Sequence, residues 1–529
     1  MDPEALNPKK PKFNLGNIAG LLFVATLIGQ LLGFLRTKLV NANFPTTGPQ
    51  STDAYFAAFA IPDFFFFTIA AGALGVAFMP VLSDRLYKHD KHGMWELSSS
   101  LLNFLAILMA FVAVIIIVFA RPLIEHVVAP GLSDEQVDIA ANIMRLLALN
   151  PLLFTISGIF TSVQQTMGKF FFFAIAPLFY NMSIIASIYI FKDTVGLVGL
   201  GLGAMIGAVL QLLVVMIGLR RTHFRWRPTI KWKNQDLRTV LRNLPARSLD
   251  QGVDQIESVV ETHIASGLGP GNITYFTNAY ILSTAPIMLV GAVISTAAFP
   301  RLNARLSQGR PDLFRSDFLK VLRIIIWIST PIVIFSYFAR GYLSRLIYTN
   351  GNQQIATIFG YLALAIFFRI IYSIISRWFY SQKDTKTPLF VSLFAISLNI
   401  ALAITLAKPS NYGVSGLALA QSIVAATEVV ILGTVMLIRD PKLFDFKFLG
   451  GVLKIFSVSG FTVVAAFIML SLYPLNINDK GFITLGTKLS IIALVVFSVH
   501  VALSSLFGLE EVRPVIYRGK KFFRKLIRS

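Results

Sequence analysis

About fourteen apolar runs, each long enough to cross roughly 30 Å of hydrocarbon as a helix, follow one another along this chain. Their approximate limits are 15–36, 54–79, 100–119, 137–163, 170–191, 195–219, 240–266, 275–299, 321–340, 354–378, 387–407, 413–437, 451–473 and 483–507. Lipid offers the backbone no hydrogen-bond partner, so runs of this length are expected as helices that satisfy their own peptide groups. With 55% hydrophobic and 14% charged residues the chain falls outside the range of soluble domains, and the expectation is an all-α polytopic membrane protein. No charged stretch, short apolar core and small-residue cleavage site open the sequence, so the first run is expected to remain as a span.

Lysine and arginine sort between the runs. Lys9, Lys10 and Lys12, then Arg85, Lys88 and Lys91, the run from Arg220 to Arg238, Arg301 to Arg315, Lys383 and Lys386, Arg439 to Lys447, and the tail Arg518 to Arg528 occupy every second connection. Both termini are therefore expected in the cytoplasm. The formal charge of +21 is explained by this topology and by anionic lipid headgroups, with no nucleic-acid partner implied. The tail GKKFFRKLIRS, which interleaves bases with Phe522, Phe523, Leu526 and Ile527, reads as an interfacial helix on an acidic leaflet or as a basic disordered tail.

An internal repeat divides the chain. AGALGVAFMPVLSDRL (71–86) aligns with GAVISTAAFPRLNARL (291–306), and GLVGLGLGAMIGAVLQ (196–211) with GVSGLALAQSIVAATE (413–428), at offsets of 220 and 217. Six spans separate the members of each pair, so the halves enter the membrane in the same orientation. The expected organisation is a cytoplasmic arm (1–13), a first six-helix lobe (14–221), a basic cytoplasmic linker (222–236), a second, pseudo-symmetric six-helix lobe (237–440), and a two-helix extension with a basic tail (441–529). Transporters built this way hold substrate between the lobes and rock one against the other.

The seventh run is the most polar. Arg247, Asp250, Asp254, Glu257 and Glu261 fall at i, i+3, i+7, i+10 and i+14, an arc of about 80° at 100° per residue. Each ionised group costs roughly 2.5–3.5 kcal/mol at mid-bilayer, so this face must look into protein or water if the segment spans. An amphipathic helix lying outside the bilayer is the alternative. Neighbouring carboxylates suggest raised pKa values or a bound cation, and Arg247 can neutralise one of them. His263 is assigned no role. Arg36 ends the first run and offers a planar fork of donors suited to phosphate, or snorkels to the interface. Asp53, at the start of the second, either pairs with Arg36 or caps its helix, and capping is favoured.

The chain has no cysteine, which excludes disulfides and thiolate chemistry. A phosphate-binding Gly-Lys-Ser/Thr loop, a nucleophile elbow and a histidine metal cluster are missing from the sequence, so no enzymatic activity or tightly held cofactor is expected.

LLGFLR (31–36), TDAYFAAFAIPD (52–63), AFMPVLS (77–83), APG (129–131), APLFYN (176–181), IASGL (264–268), AFPRL (298–302) and FYSQKDTKTP (379–388) resemble the landmarks of the MurJ (MviN) lipid II flippases, within the multidrug/oligosaccharidyl-lipid/polysaccharide exporter superfamily. The resemblance implies a flippase that moves the undecaprenyl-pyrophosphate-linked peptidoglycan precursor by alternating access across the bacterial cytoplasmic membrane. It also implies a role for Arg36 at the pyrophosphate; the stripe that opens the second lobe can line the same cavity, so Asp53, Arg247, Asp250, Asp254 and Glu257 are expected beside the substrate, the last three as carboxylates beyond the family pattern. Glu261 and Asn399 would belong to a sodium or proton coupling site. Gln30, Phe66 and Ile281 stand where the family has arginine, and Ala403 where a second carboxylate of the sodium site is expected. Two other readings stand beside it. One is export of a different lipid-linked oligosaccharide or a cationic amphiphile, which the acidic stripe favours. The other is a scaffold that recruits cell-wall synthesis or division proteins through the basic loop and tail.

Overall fold

The computed structural model describes residues 15–71, 78–220, 222, 224–348, 352–476, 478–479 and 481–517, with the backbone alone at 15–19, 70–71, 243 and 245–251. The arm 1–13 and the tail 518–529, and so the two readings of that tail, lie outside the described residues. Thirteen helical stretches among those described are long and apolar enough to cross a membrane. The segment expected as the seventh span is one continuous helix of 33 residues, Gln235–Gly267. At 1.5 Å per residue it is about 50 Å long, ample for a crossing, and only its polarity keeps it out of the apolar set. The architecture is all-helical, as expected.

Contacts divide the chain into two compact units, Met1–Gly271 and Asn272–Ser529. The first holds α1 (Leu15–Asn43), α2 (Thr52–Phe65), α3 (Met79–Tyr87), α4 (Lys91–Pro122), α5 (Asp134–Leu147), α6 (Asn150–Thr166), α7 (Phe171–Phe191), α8 (Val198–Arg220) and α9 (Gln235–Gly267). The second opens with α10 (Asn272–Pro286), α11 (Val293–Ser307), α12 (Pro311–Phe338) and the short α13 (Arg340–Ile347). It continues through α14 (Gln353–Ser381), α15 (Lys386–Leu406), α16 (Ser415–Arg439), α17 (Phe446–Leu472) and α18 (Phe482–Leu506).

The repeat read from the sequence recurs in the element boundaries. Thr52 and Asn272, Tyr87 and Ser307, and Lys91 and Pro311 are boundary pairs 220 residues apart, while the starts of α8 and α16, Val198 and Ser415, are 217 apart. Irregularities repeat as well. A π-helical turn follows Pro62 at Phe66–Ala71, and another follows Pro286 at Ile287–Ala292. Proline supplies no N–H and crowds the preceding turn, so the ladder relaxes to wider rings just beyond it. The aligned glycines Gly196 and Gly413 share a left-handed backbone, φ +64° and +54°. Three residues on, a Cβ at Gly199 would meet the Phe191 Cβ at 2.3 Å, and one at Gly416 the Leu406 carbonyl oxygen at 2.3 Å. Both halves therefore turn into their last helix in the same way, over the end of the preceding one.

In order along the chain α9 is the counterpart of α1, which is why the repeat places it first in the second lobe. By packing it lies in the first unit, against α2, α4 and the π-helical turns Phe66–Ala71 and Leu123–Val128. The linker that precedes it is stitched to α4: Asn103 donates to the carbonyls of Arg227 and Thr229 and accepts from the Trp226 indole, while the Ser99 and Ser100 hydroxyls accept from the Arg227 and Lys231 amides. Below it, Leu237 and Val240 complete a buried cluster with Phe78, Leu82, Leu101 and Leu105.

Connections touch others of the same parity. In the first unit the Arg85 guanidinium joins the turn before α4 to Asp236. The remaining connections meet through Gln136 to Gly48 and Ser51, Gln50 to Leu197, and Gly131 to Ser266. In the second unit Arg315 pairs with Asp440, Arg439 with Asp384, and Arg323 with Glu511, whereas Tyr342 and Arg345 donate to the carbonyls of Tyr473 and Asn476. Basic connections and base-poor connections thus gather into separate layers within each unit.

Candidate functional site

The acidic helix α9 is fastened at both ends. Asn234 caps its start by accepting from the Asp236 and Leu237 amides, and Arg85 holds Asp236 at 2.6 Å while also binding Asp90. At the other end His263 Nδ1 lies 2.8 Å from the Val127 carbonyl oxygen, Gly131 donates to the Ser266 hydroxyl, and Gly271 donates to Asp53 at 2.6 Å. His263 thus has a structural contact that the sequence reading did not give it. Midway, a Cβ at Gly252 would meet the Thr68 side chain at 2.9 Å, so the helix lies close against the π-helical turn Phe66–Ala71.

This seating splits the stripe. Glu261 is 5% exposed and Glu257 8%, whereas Asp254 is exposed. The side chains of Arg247 and Asp250 lie outside the described residues, although the helix runs unbroken through both positions. An 80° arc is wide enough to bury one edge and leave the other open.

A second feature of the first unit is a cavity of about 500 Å³ whose walls carry Arg36 and Asp63. Tyr180, Gln211, Ser157 and Thr161 add polar atoms, and Phe59, Phe66, Phe67, Phe154 and Phe173 make the rest largely aromatic. Such a concave apolar chamber with a few convergent polar groups is the usual form of a ligand site. Arg36, which the resemblance sets at the pyrophosphate, lines this chamber. Asp53, by contrast, is not among the lining residues; it is 1% exposed in the first turn of α2 and accepts from Gly271. The acid that shares the cavity with Arg36 is Asp63, which the sequence reading passed over. An ionisable residue inside a span is itself a functional signal, and that argument, applied to α2 as to α9, would have found it. Phe66, at a family arginine position, faces the same chamber.

Asn399 on α15 is 1% exposed, and Ala403, one turn on, is 1% exposed and brings no oxygen. Among the described residues no group of three or more His, Cys, Asp or Glu is placed to hold a metal ion. The FYSQKDTKTP stretch has a plain structural reason. Asp384 accepts from the Lys386 and Thr387 amides and the Thr387 hydroxyl, opening α15, and binds Arg439 at 2.6 Å, which fixes the end of α16.

Comparison with known proteins decides the family. The family model described as "Lipid II flippase MurJ" matches residues 49–493. The chain belongs to the MurJ family. A relative in Thermotoga maritima named probable lipid II flippase MurJ is 26% identical over 503 residues, covering 94% of this chain and 97% of that protein. Another, from Borreliella burgdorferi, is 23% identical over 433 residues, 80% of this chain and 83% of its own length. Among solved structures, a lipid II flippase MurJ in an inward closed conformation aligns with TM-score 0.76 and 24% identity over 94% of this chain and 99% of that one. A multidrug resistance MATE family transporter, in an inward-facing conformation, aligns at 0.65 and 17% identity over 80% and 98% of the two chains. Both alignments show that the chain shares the helical fold of these proteins.

Proposed function

We propose that this chain is a lipid II flippase: a multi-pass protein of the bacterial inner membrane that carries the lipid-linked peptidoglycan precursor across by alternating access, with no chemical step of its own. The observation that carries this reading is the MurJ family match along nearly the whole transport body, residues 49–493. Arg36 is assigned to the pyrophosphate, because a guanidinium in a largely aromatic chamber can bind phosphate oxygens through charge-assisted, paired hydrogen bonds. Aromatic walls suit the apolar part of a lipid substrate. Glu257, Glu261 and Asp254 on α9 border the path. The gathering of basic connections into one layer supports cytoplasmic termini and a basic face toward anionic lipids, where cell-wall synthesis or division proteins would also dock.

Coupling to a cation gradient falls to Glu261, with Asn399 as the second candidate. Glu261, 5% exposed, is the carboxyl that would carry a proton or take part in a sodium shell. Export of a cationic amphiphile is the second reading, and Asp63 opposite Arg36 favours it.

Complementation of a flippase-depleted bacterium tests the proposal. Wild type is expected to rescue growth, and Arg36→Ala and Glu261→Gln to fail at equal membrane abundance. Absence of rescue by the wild type, or full rescue by both variants, would overturn it.

A further inference from the structure

In the second unit, where α12, α17 and the turn after α18 meet, lies a cavity of about 290 Å³ with five bases in its walls. Asp312, Arg315, Ser316, Leu319, Lys320 and Arg323 line it from α12, a spacing that keeps them on one face over three turns. Lys442 and Lys447 flank the start of α17. Two of the bases are spent internally: Arg323 binds Glu511 at 2.5 Å, and Arg315 binds Asp440. Lys447 has only a loose contact, 3.9 Å, with Glu510, which also lines the cavity. Lys320 and Lys442 are exposed, and neither has a carboxylate partner among the described residues. Asp312, Asp445 and Glu510 also line the cavity, yet neither lysine pairs with them, so both ammonium groups are available there to an anion from outside the chain.

Large exposed apolar side chains lie within about two helical turns of Lys442 and Lys447 in sequence: Phe446 is 93% exposed, Ile438 74% and Leu453 67%. Apolar surface of that kind belongs in hydrocarbon, and the basic connections beside it belong to the headgroup layer. The volume sits at the lower end of ligand pockets and suits a headgroup, not a whole lipid. We propose that this cavity binds the phosphate group of an anionic lipid headgroup, with Lys320 and Lys442 as its ligands and Lys447 as a third donor. Ammonium groups are compact charges with rotatable donors, which fits a phosphate whose substituents vary. The proposal does not depend on what the first unit transports.

Delipidated full-length protein in a neutral detergent is titrated with phosphatidylglycerol, with phosphatidylcholine and with inorganic phosphate, and retained ligand is counted by native mass spectrometry. One phosphatidylglycerol per chain is expected, about 30-fold weaker in Lys320→Gln/Lys442→Gln, given the usual weight of two juxtamembrane lysines. Lys88→Gln/Lys91→Gln, which removes equal charge in the first unit, should bind as wild type does, and phosphatidylcholine should bind weakly to all three. Lipid-free melting temperatures show whether the cavity variant is folded. Equal phosphatidylglycerol binding by folded wild type and cavity variant would overturn the site. Lysine-dependent binding of inorganic phosphate without phosphatidylglycerol binding would overturn the lipid assignment in favour of a soluble anion.

Discussion

With Asp63 ionised, replacing it by Asn removes one negative charge from the first-unit cavity at nearly constant volume, and the two readings of its ligand demand opposite consequences. A chamber of about 500 Å³ treated as a sphere is about 10 Å across, so a charge bound within it lies within about 10 Å of both Arg36 and Asp63. At the effective dielectric constant of about 20 that suits protein sites, a unit pair at 10 Å is worth about 1.7 kcal/mol, or roughly 15-fold in affinity. Asp63→Asn should therefore tighten binding of a pyrophosphate-bearing lipid by at least that factor and weaken a lipophilic monocation by a similar one. Arg36→Ala should do the reverse to the anion, and lose in addition about 1.5–3 kcal/mol for each charge-assisted hydrogen bond to phosphate. The assay is equilibrium binding to the purified chain in nanodiscs, using a short-chain lipid-linked pyrophosphate and tetraphenylphosphonium as the two probes. The flippase reading predicts a gain for the first probe in Asp63→Asn and a loss in Arg36→Ala. Loss of the pyrophosphate lipid in Asp63→Asn, or no change with either probe in either variant, would refute the reasoning that this chamber reads substrate charge.

Two further outcomes follow from the same coordinates. Gly131→Ala should lower both the melting temperature and the membrane abundance, because the added Cβ would meet the Ser266 carbonyl oxygen at 2.0 Å and drive the end of α9 off its seat; an unchanged melting curve would disprove that contact. The Asp384 carboxyl is subject first to burial, which raises its pKa, but the Thr387 hydroxyl and amide and the Arg439 guanidinium outweigh this and bring it to about 2. Its folded pKa is depressed, so its contribution is complete above the unfolded value near 4 and disappears as pH falls toward about 2, amounting to about 2 kcal/mol at most. Denaturation followed from pH 6 to 2 should show that loss in wild type and a shallower one in Asp384→Asn.

What the sequence reveals here, and what it conceals, separates along one physical line. Long apolar runs, the alternation of bases and the offset repeat are properties of whole segments, and each reappears in the helices, in the layering of connections and in the matched boundaries 220 residues apart. Even fine detail survives where backbone sterics impose it on both halves, as at Gly196 and Gly413. Side-chain destination is another matter. Asp53 and Asp63 stand ten residues apart on one helix, about 15 Å along its axis, and nothing in the local pattern says that the first satisfies a buried amide while the second enters the cavity. The stripe on α9 falls on one unbroken helix, yet only the packing of its neighbours distinguishes buried Glu257 and Glu261 from exposed Asp254. Asp384 stands in the sequence only as one letter of a family landmark, and in the structure it holds two helix ends together. Each of these assignments depends on contacts between residues distant in sequence, and in a helical membrane protein such contacts are fixed by rotation about the helix axis, to which hydropathy along the axis is nearly blind.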